Sequence, residues 1–114
     1  RGGCISPGMK TRFRALHDYT AKLPLCAATE SEELAGLTTR QAIELGVMNG
    51  IAFEIEGYAA RMRSRIEDLC VIFTGGDANF FVKRIKNTIF ANCNLVFCGL
   101  NRILEYNASE EHLN

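Results

Sequence analysis

One stretch constrains this chain more than any other: Asp68–Lys86, which reads D-L-C-V-I-F-T-G-G-D-A-N-F-F-V-K-R-I-K. Leu69–Phe73 is a short, continuous apolar run rich in strand formers. That is the pattern of a strand buried on both faces, as in a parallel sheet. The run stops at Thr74-Gly75-Gly76-Asp77. Two adjacent glycines make a tight turn and remove the Cβ atoms that would keep another group from the backbone. Ala78, Phe81, Val82 and Ile85 then recur at helical spacing, with Lys83, Arg84 and Lys86 on the other side. Strand, glycine turn and helix in that order aim free helix-terminal amides at the mouth of an α/β sheet. Such folds bind nucleotides and other anions there. The same glycines would also serve simple packing of helix on sheet.

Before this stretch the chain is helical. Gly2-Gly3-Cys4-Ile5-Ser6-Pro7-Gly8 opens it, with Ser6 a candidate N-cap and Pro7 at the first helical position. Met9, Phe13, Leu16, Thr20 and Leu23 form one stripe, and Pro24 ends the helix by disfavouring helical geometry before it. Arg12 and Arg14 read as a solvated face, and His17 as a structural residue. Leu25–Glu33 reads as a surface connection. Thr38 with Gln41 fits a capping box, and Ile43, Val47, Ile51, Ile55, Tyr58, Met62 and Ile66 predict a long helix over about 39–66. Leu45, Met48, Ala52 and Ala59 make a second apolar flank. Gly46, Gly50 and Gly57 each cost up to about 1 kcal/mol inside a helix. Close contact with another backbone, either the sheet or a second subunit, is expected to offset that cost, and the two flanks favour a subunit. After the organising stretch, residues 94–98 read as a second buried strand, followed by Gly99, a short last helix and a polar tail from Ala108.

Charge and cysteine usage exclude some classes of function. The 13 basic and 13 acidic residues balance, which argues against nucleic-acid or membrane-surface binding, since both need an excess of Lys and Arg. No apolar run approaches the roughly 20 residues of a membrane span, and no signal-peptide pattern is present. Five cysteines form no C-x-x-C pair. They read as buried free thiols of a cytoplasmic protein, and no Cys/His spacing points to a metal. A chain that starts at Arg1 with two strands too few for a stable sheet reads as a piece of a longer polypeptide, its missing strands expected upstream.

Five ordered motifs carry a resemblance across nearly the whole chain. Gly2-Gly3-x-Ile5-x-Pro7-Gly8 is followed by Thr20-Ala21-x-Leu23-Pro24. Next come Gly36-x-Thr38-Thr39-x-x-Ala42-Ile43-x-x-Gly46 and Thr74-Gly75-Gly76, closed by Asn94-Leu95-Val96-x-x-Gly99-Leu100. Together they resemble the C-terminal half of a type III pantothenate kinase. Thr38 stands where the family pattern has Asn, which leaves Thr39 in register.

The resemblance implies an α/β, ribonuclease-H-like lobe of the actin-like ATPase superfamily. Residues 1–114 would be the C-terminal lobe of a two-lobe kinase whose N-terminal lobe is absent from this chain. It implies ATP-dependent phosphorylation of pantothenate to 4'-phosphopantothenate, the first step of coenzyme A synthesis, by a cytoplasmic homodimer paired through the long helix. Thr39 matches the substrate-contacting threonine, and Thr74, Gly75 and Gly76 match the motif near the adenosine. Gly2, Gly3, Pro7 and Gly8 are the structural motif. The phosphate loops, the catalytic aspartate and the ligand for a monovalent cation (potassium or ammonium) belong to the absent half. The chain is therefore expected to hold no catalytic residue and to be inactive alone. Two other readings differ in class: a non-catalytic nucleotide-binding or regulatory protein on the same fold, and a stand-alone helical dimerisation module built on residues 39–66.

Overall fold

The computed structural model describes residues 2–85 and 94–97. Its elements in order are α1 (Met9–Asp18), α2 (Thr39–Arg63), β1 (Cys70–Phe73), α3 (Ala78–Ile85) and β2 (Asn94–Phe97). The chain divides into two units, Arg1–Ile55 and Glu56–Asn114, and the division falls within α2.

In the first unit, α1 starts later and ends earlier than its sequence predicts. Gly8 takes the N-cap position, and no side chain caps it. Ser6 accepts a hydrogen bond from Arg12 (3.0 Å). At the other end the helix stops at Asp18, well before Pro24. The Thr20 hydroxyl bonds the Leu16 carbonyl, the acceptor that a continuing helix would give to the Thr20 amide. Tyr19 closes the last turn on the Ala15 carbonyl (3.0 Å). Met9 and Phe13 are buried, as the apolar stripe predicts, and no helix or strand forms between Tyr19 and Thr38.

α2 begins where the capping signal places it. The Thr38 hydroxyl accepts the Gln41 amide (3.1 Å), while Gln41 reaches back to the Leu37 amide (2.9 Å), one residue beyond the box expected. Both predicted flanks are buried in the first half: Ile43, Val47 and Ile51 on one, Leu45, Met48 and Ala52 on the other. The stripe then fades. Tyr58, Met62 and Ile66 are each about half exposed, and the helix ends at Arg63, short of residue 66. Among the described residues the sheet is not the close neighbour expected at the helix glycines, which leaves the second subunit as the expected partner. A Cβ at Gly46 or Gly57 would meet nothing within 4 Å, and one at Gly50 only the Arg12 Nη1 at 3.7 Å.

In the second unit, β1 and β2 pair in parallel, with Cys70 opposite Asn94 and Phe73 opposite Phe97. The strand formers and the turn after them account for this strand–helix–strand unit, since parallel neighbours need a crossover connection. β1 is not buried on both faces: its residues are half-buried and Ile72 is 40% exposed. Among the described residues it has one strand partner, so part of its surface is left uncovered. Ala78, Phe81 and Ile85 form the buried face of α3. The expected extension of the second strand to residue 98, the last helix, the polar tail, Cys93 and Cys98 lie outside the described residues. Cys4 is exposed, against the expected burial, and Cys26 is a buried free thiol.

Candidate functional site

Two helix faces in the first unit enclose a groove. α2 contributes Thr39, Ala42, Ile43 and Gly46 at steps of three and four, so they share one face. α1 contributes Arg12, Ala15 and Leu16 on the same principle. The volume is about 710 Å³, within the roughly 300–1,000 Å³ of small-molecule sites. The α2 side from Thr39 to Gly46 spans about 10 Å of helix axis. Gly46 keeps it open, because any side chain there would project into free space. Leu23 completes the wall, and two bonds hold the turn that carries it. One is the Thr20 hydroxyl on Leu16. The other is the Nδ1–H of His17, which donates to the Leu23 carbonyl (2.8 Å). His17 is therefore structural, as expected.

The only hydroxyl lining this groove belongs to Thr39, the first residue of α2. It is exposed and makes no hydrogen bond among the described residues. Thr38, one position earlier, does the capping, which leaves the Thr39 oxygen available beside the first-turn amides. The segment before the helix is held hard against it. A Cβ on Gly36 would lie 2.5 Å from the Ala42 nitrogen and 2.6 Å from Gln41 Cβ, so only glycine fits there. The Asn49 amide also donates to the Glu33 carbonyl (2.7 Å) and pins the same connection to α2.

Arg12 departs from the solvated face expected of it. Its Nε donates to the Pro7 carbonyl (2.8 Å) and its Nη2 to Ser6 Oγ (3.0 Å). The same Nη2 makes an ion pair with Glu54 Oε2 of α2 (2.8 Å). Glu54 has its carboxyl held below the ordinary range, first by a hydrogen bond from Ser6 and then by Arg12. Arg14, by contrast, makes only an exposed i,i+4 pair with Asp18 at 3.7 Å, worth about 0.3–0.5 kcal/mol. Gly2, Gly3, Pro7 and Gly8 are exposed. Pro7 and Gly8 act through their carbonyls, and Gly2 and Gly3 have open space around them.

In the second unit Thr74, Gly75 and Gly76 form the exposed turn between β1 and α3. Gly75 has φ +99°, a conformation that disfavours any side chain. Its carbonyl accepts the Ala78 amide at 3.3 Å. A Cβ on either glycine would meet nothing within 4 Å, so the turn is open to approach. Thr39 and the glycine turn, both singled out from the sequence, are exposed and open to approach. Glu54 and the clamping contacts of Arg12 carry no local sequence signal, since the two residues are 42 positions apart. Gly36 belongs to a sequence motif, and its close approach to α2 supplies the physical reason.

The chain combines a strand–turn–helix–strand unit of parallel strands with an open glycine turn and, in its first unit, a groove bordered by the first residue of a long helix. The family model for type III pantothenate kinase matches residues 1–61. The chain is 51% identical over 106 residues to the type III pantothenate kinase of Flavobacterium psychrophilum, an alignment covering 93% of this chain and 44% of that protein. It is 46% identical to that of Flavobacterium johnsoniae, covering 92% and 43%. It is 47% identical to that of Cytophaga hutchinsonii, covering 93% and 45%. The chain belongs to the type III pantothenate kinase family, and it spans less than half the length of these relatives.

Proposed function

We propose that this chain is the C-terminal lobe of an enzyme that transfers phosphate from ATP to pantothenate, giving 4'-phosphopantothenate at the start of coenzyme A synthesis. The observation that carries the reading is the groove beside Thr39. Pantothenate is a small acid with a dimethyl-bearing carbon between polar groups. The apolar walls Leu16, Leu23 and Ile43 suit the methyl groups, and the Thr39 hydroxyl suits a polar end. The free amides of the first turn of α2 favour an anion beside Thr39. Chain positions Thr74, Gly75 and Gly76 then lie near the nucleotide, where the open turn leaves its backbone accessible. Fold, in this reading, is a ribonuclease-H-like lobe of the actin-like ATPase type.

This chain's residues bind and orient; the base and the phosphate loops belong to the other lobe. Among the described residues no three His, Cys, Asp or Glu side chains come together to hold a metal ion. No described helix is long and apolar enough to cross a membrane. A homodimer through α2 would cover Tyr58 and Met62, which share one face of the helix and are each about half exposed.

The test is steady-state kinetics of the complete kinase. Thr39→Val keeps the shape and removes the hydroxyl, and is expected to raise KM for pantothenate about tenfold, as loss of one hydrogen bond to a charged group implies. Unchanged KM for pantothenate would remove Thr39 from the site.

A further inference from the structure

We infer that Arg12 is a positioning residue for the groove, acting through the Ser6–Pro7 segment and Glu54 rather than by touching the substrate itself. The inference rests on the proposal that the groove takes pantothenate, and goes beyond it by assigning the residue that fixes the groove's width.

One guanidinium ties three parts of the first unit together. Nε holds the Pro7 carbonyl at 2.8 Å, and Nη2 holds Ser6 Oγ at 3.0 Å and Glu54 Oε2 at 2.8 Å. Pro7 and Ser6 lead into α1, whose first helical bond runs from the Arg12 amide to the Gly8 carbonyl. Glu54 is on α2. The side chain therefore spans from the start of α1 to α2, and Arg12 is also one of the residues that line the groove. A planar fork with fixed donor directions sets a distance that a flexible ammonium does not.

The charge balance separates this role from direct anion binding. The guanidinium is already paired with a carboxylate that is held ionised below its usual range. The substrate anion, in the proposed placement, sits beside Thr39 at the first turn of α2, whereas the partner of Arg12 is Glu54, about 22 Å further along the helix axis. Geometry is what remains for Arg12 to supply.

The experiment compares Arg12→Met, Arg12→Lys, Glu54→Gln and Gly46→Leu in the complete kinase, reading KM for pantothenate, kcat and the thermal midpoint. Loosening a positioning contact by about an ångström costs up to about a hundredfold in a well-oriented reaction. Arg12→Met is expected to raise KM at least about tenfold on that scale and to lower the thermal midpoint modestly, since the pair with Glu54 is lost as well. Arg12→Lys should fall between wild type and Met, and Glu54→Gln should not lower KM. A fall in KM with Glu54→Gln would make Arg12 a direct anion receptor and overturn the inference. So would a lower thermal midpoint for Arg12→Met with KM unchanged. Gly46→Leu fills the groove: if it leaves KM unchanged, the groove reading itself fails. If it raises KM while Arg12→Met does not, the groove stands and only the role of Arg12 falls.

Discussion

Gly36→Ala should destabilise the protein, although the same substitution usually does the opposite. Where the backbone accepts a side chain, Gly→Ala stabilises by about 0.4–1 kcal/mol through the unfolded state. At Gly36 the added Cβ would sit 2.5 Å from both the Ala42 nitrogen and the Gln41 carbonyl carbon. Carbon contacts relax only at about 3.5 Å, so the loop must retreat by roughly an ångström from backbone that is already helical. Overpacking of this kind costs about 1–3 kcal/mol. Retreat also stretches the bond from the Leu37 amide to Gln41 (2.9 Å) and the cap from Thr38 to the Gln41 amide (3.1 Å), and a lost cap costs about 1 kcal/mol. These terms overlap, and a net loss of about 2–4 kcal/mol is expected. Urea unfolding of the complete kinase measures it, with Gly46→Ala as the control. A Cβ at Gly46 meets nothing within 4 Å, so that variant should gain up to about 1 kcal/mol from helix propensity. If both alanines stabilise, the close approach at Gly36 does not exist and the placement of Thr39 loses its support.

Two other predictions concern the glycine turn and the acid limb of stability. Gly75→Ala forces a side chain to φ +99° and should cost roughly 1–2 kcal/mol, read by the same unfolding assay; a neutral result would mean that the turn relaxes to negative φ. Glu54 has a folded-state pKa below the ordinary 4.5. Its contribution is therefore complete above the unfolded value and is lost as pH falls through the folded one. Urea midpoints taken from neutral pH downward should drop more steeply for the wild type than for Glu54→Gln, and parallel curves would show that the Ser6–Arg12–Glu54 network carries no net stability.

Local signals were readable where one short segment decides the outcome. Thr38 with Gln41 marked the start of α2, and the apolar run followed by two glycines marked β1, the turn and α3. The end of α1 was not readable from Pro24, because the Thr20 side chain takes the Leu16 carbonyl four residues before the proline. Nor did the stripe from Ile43 to Ile66 show where cover ends: spacing gives a face, and burial depends on what packs against it. The groove was half legible. Thr39 came from a motif and its chemistry, whereas the Arg12–Glu54 pair joins two helices at a sequence distance that no local pattern reports. Gly46 shows the limit most clearly. Its place in a helix predicts a close neighbour, and the described residues of its own chain supply none, so that Gly46 faces open space in the groove.

The most direct measurement of the central claim is a crystal structure of the complete kinase with pantothenate bound. Pantothenate is expected in the groove between α1 and α2, with one polar end within hydrogen-bond distance of Thr39 Oγ1 and its methyl groups against Leu16 and Ile43. Pantothenate bound elsewhere, with this groove filled by side chains from another part of the protein, would contradict it.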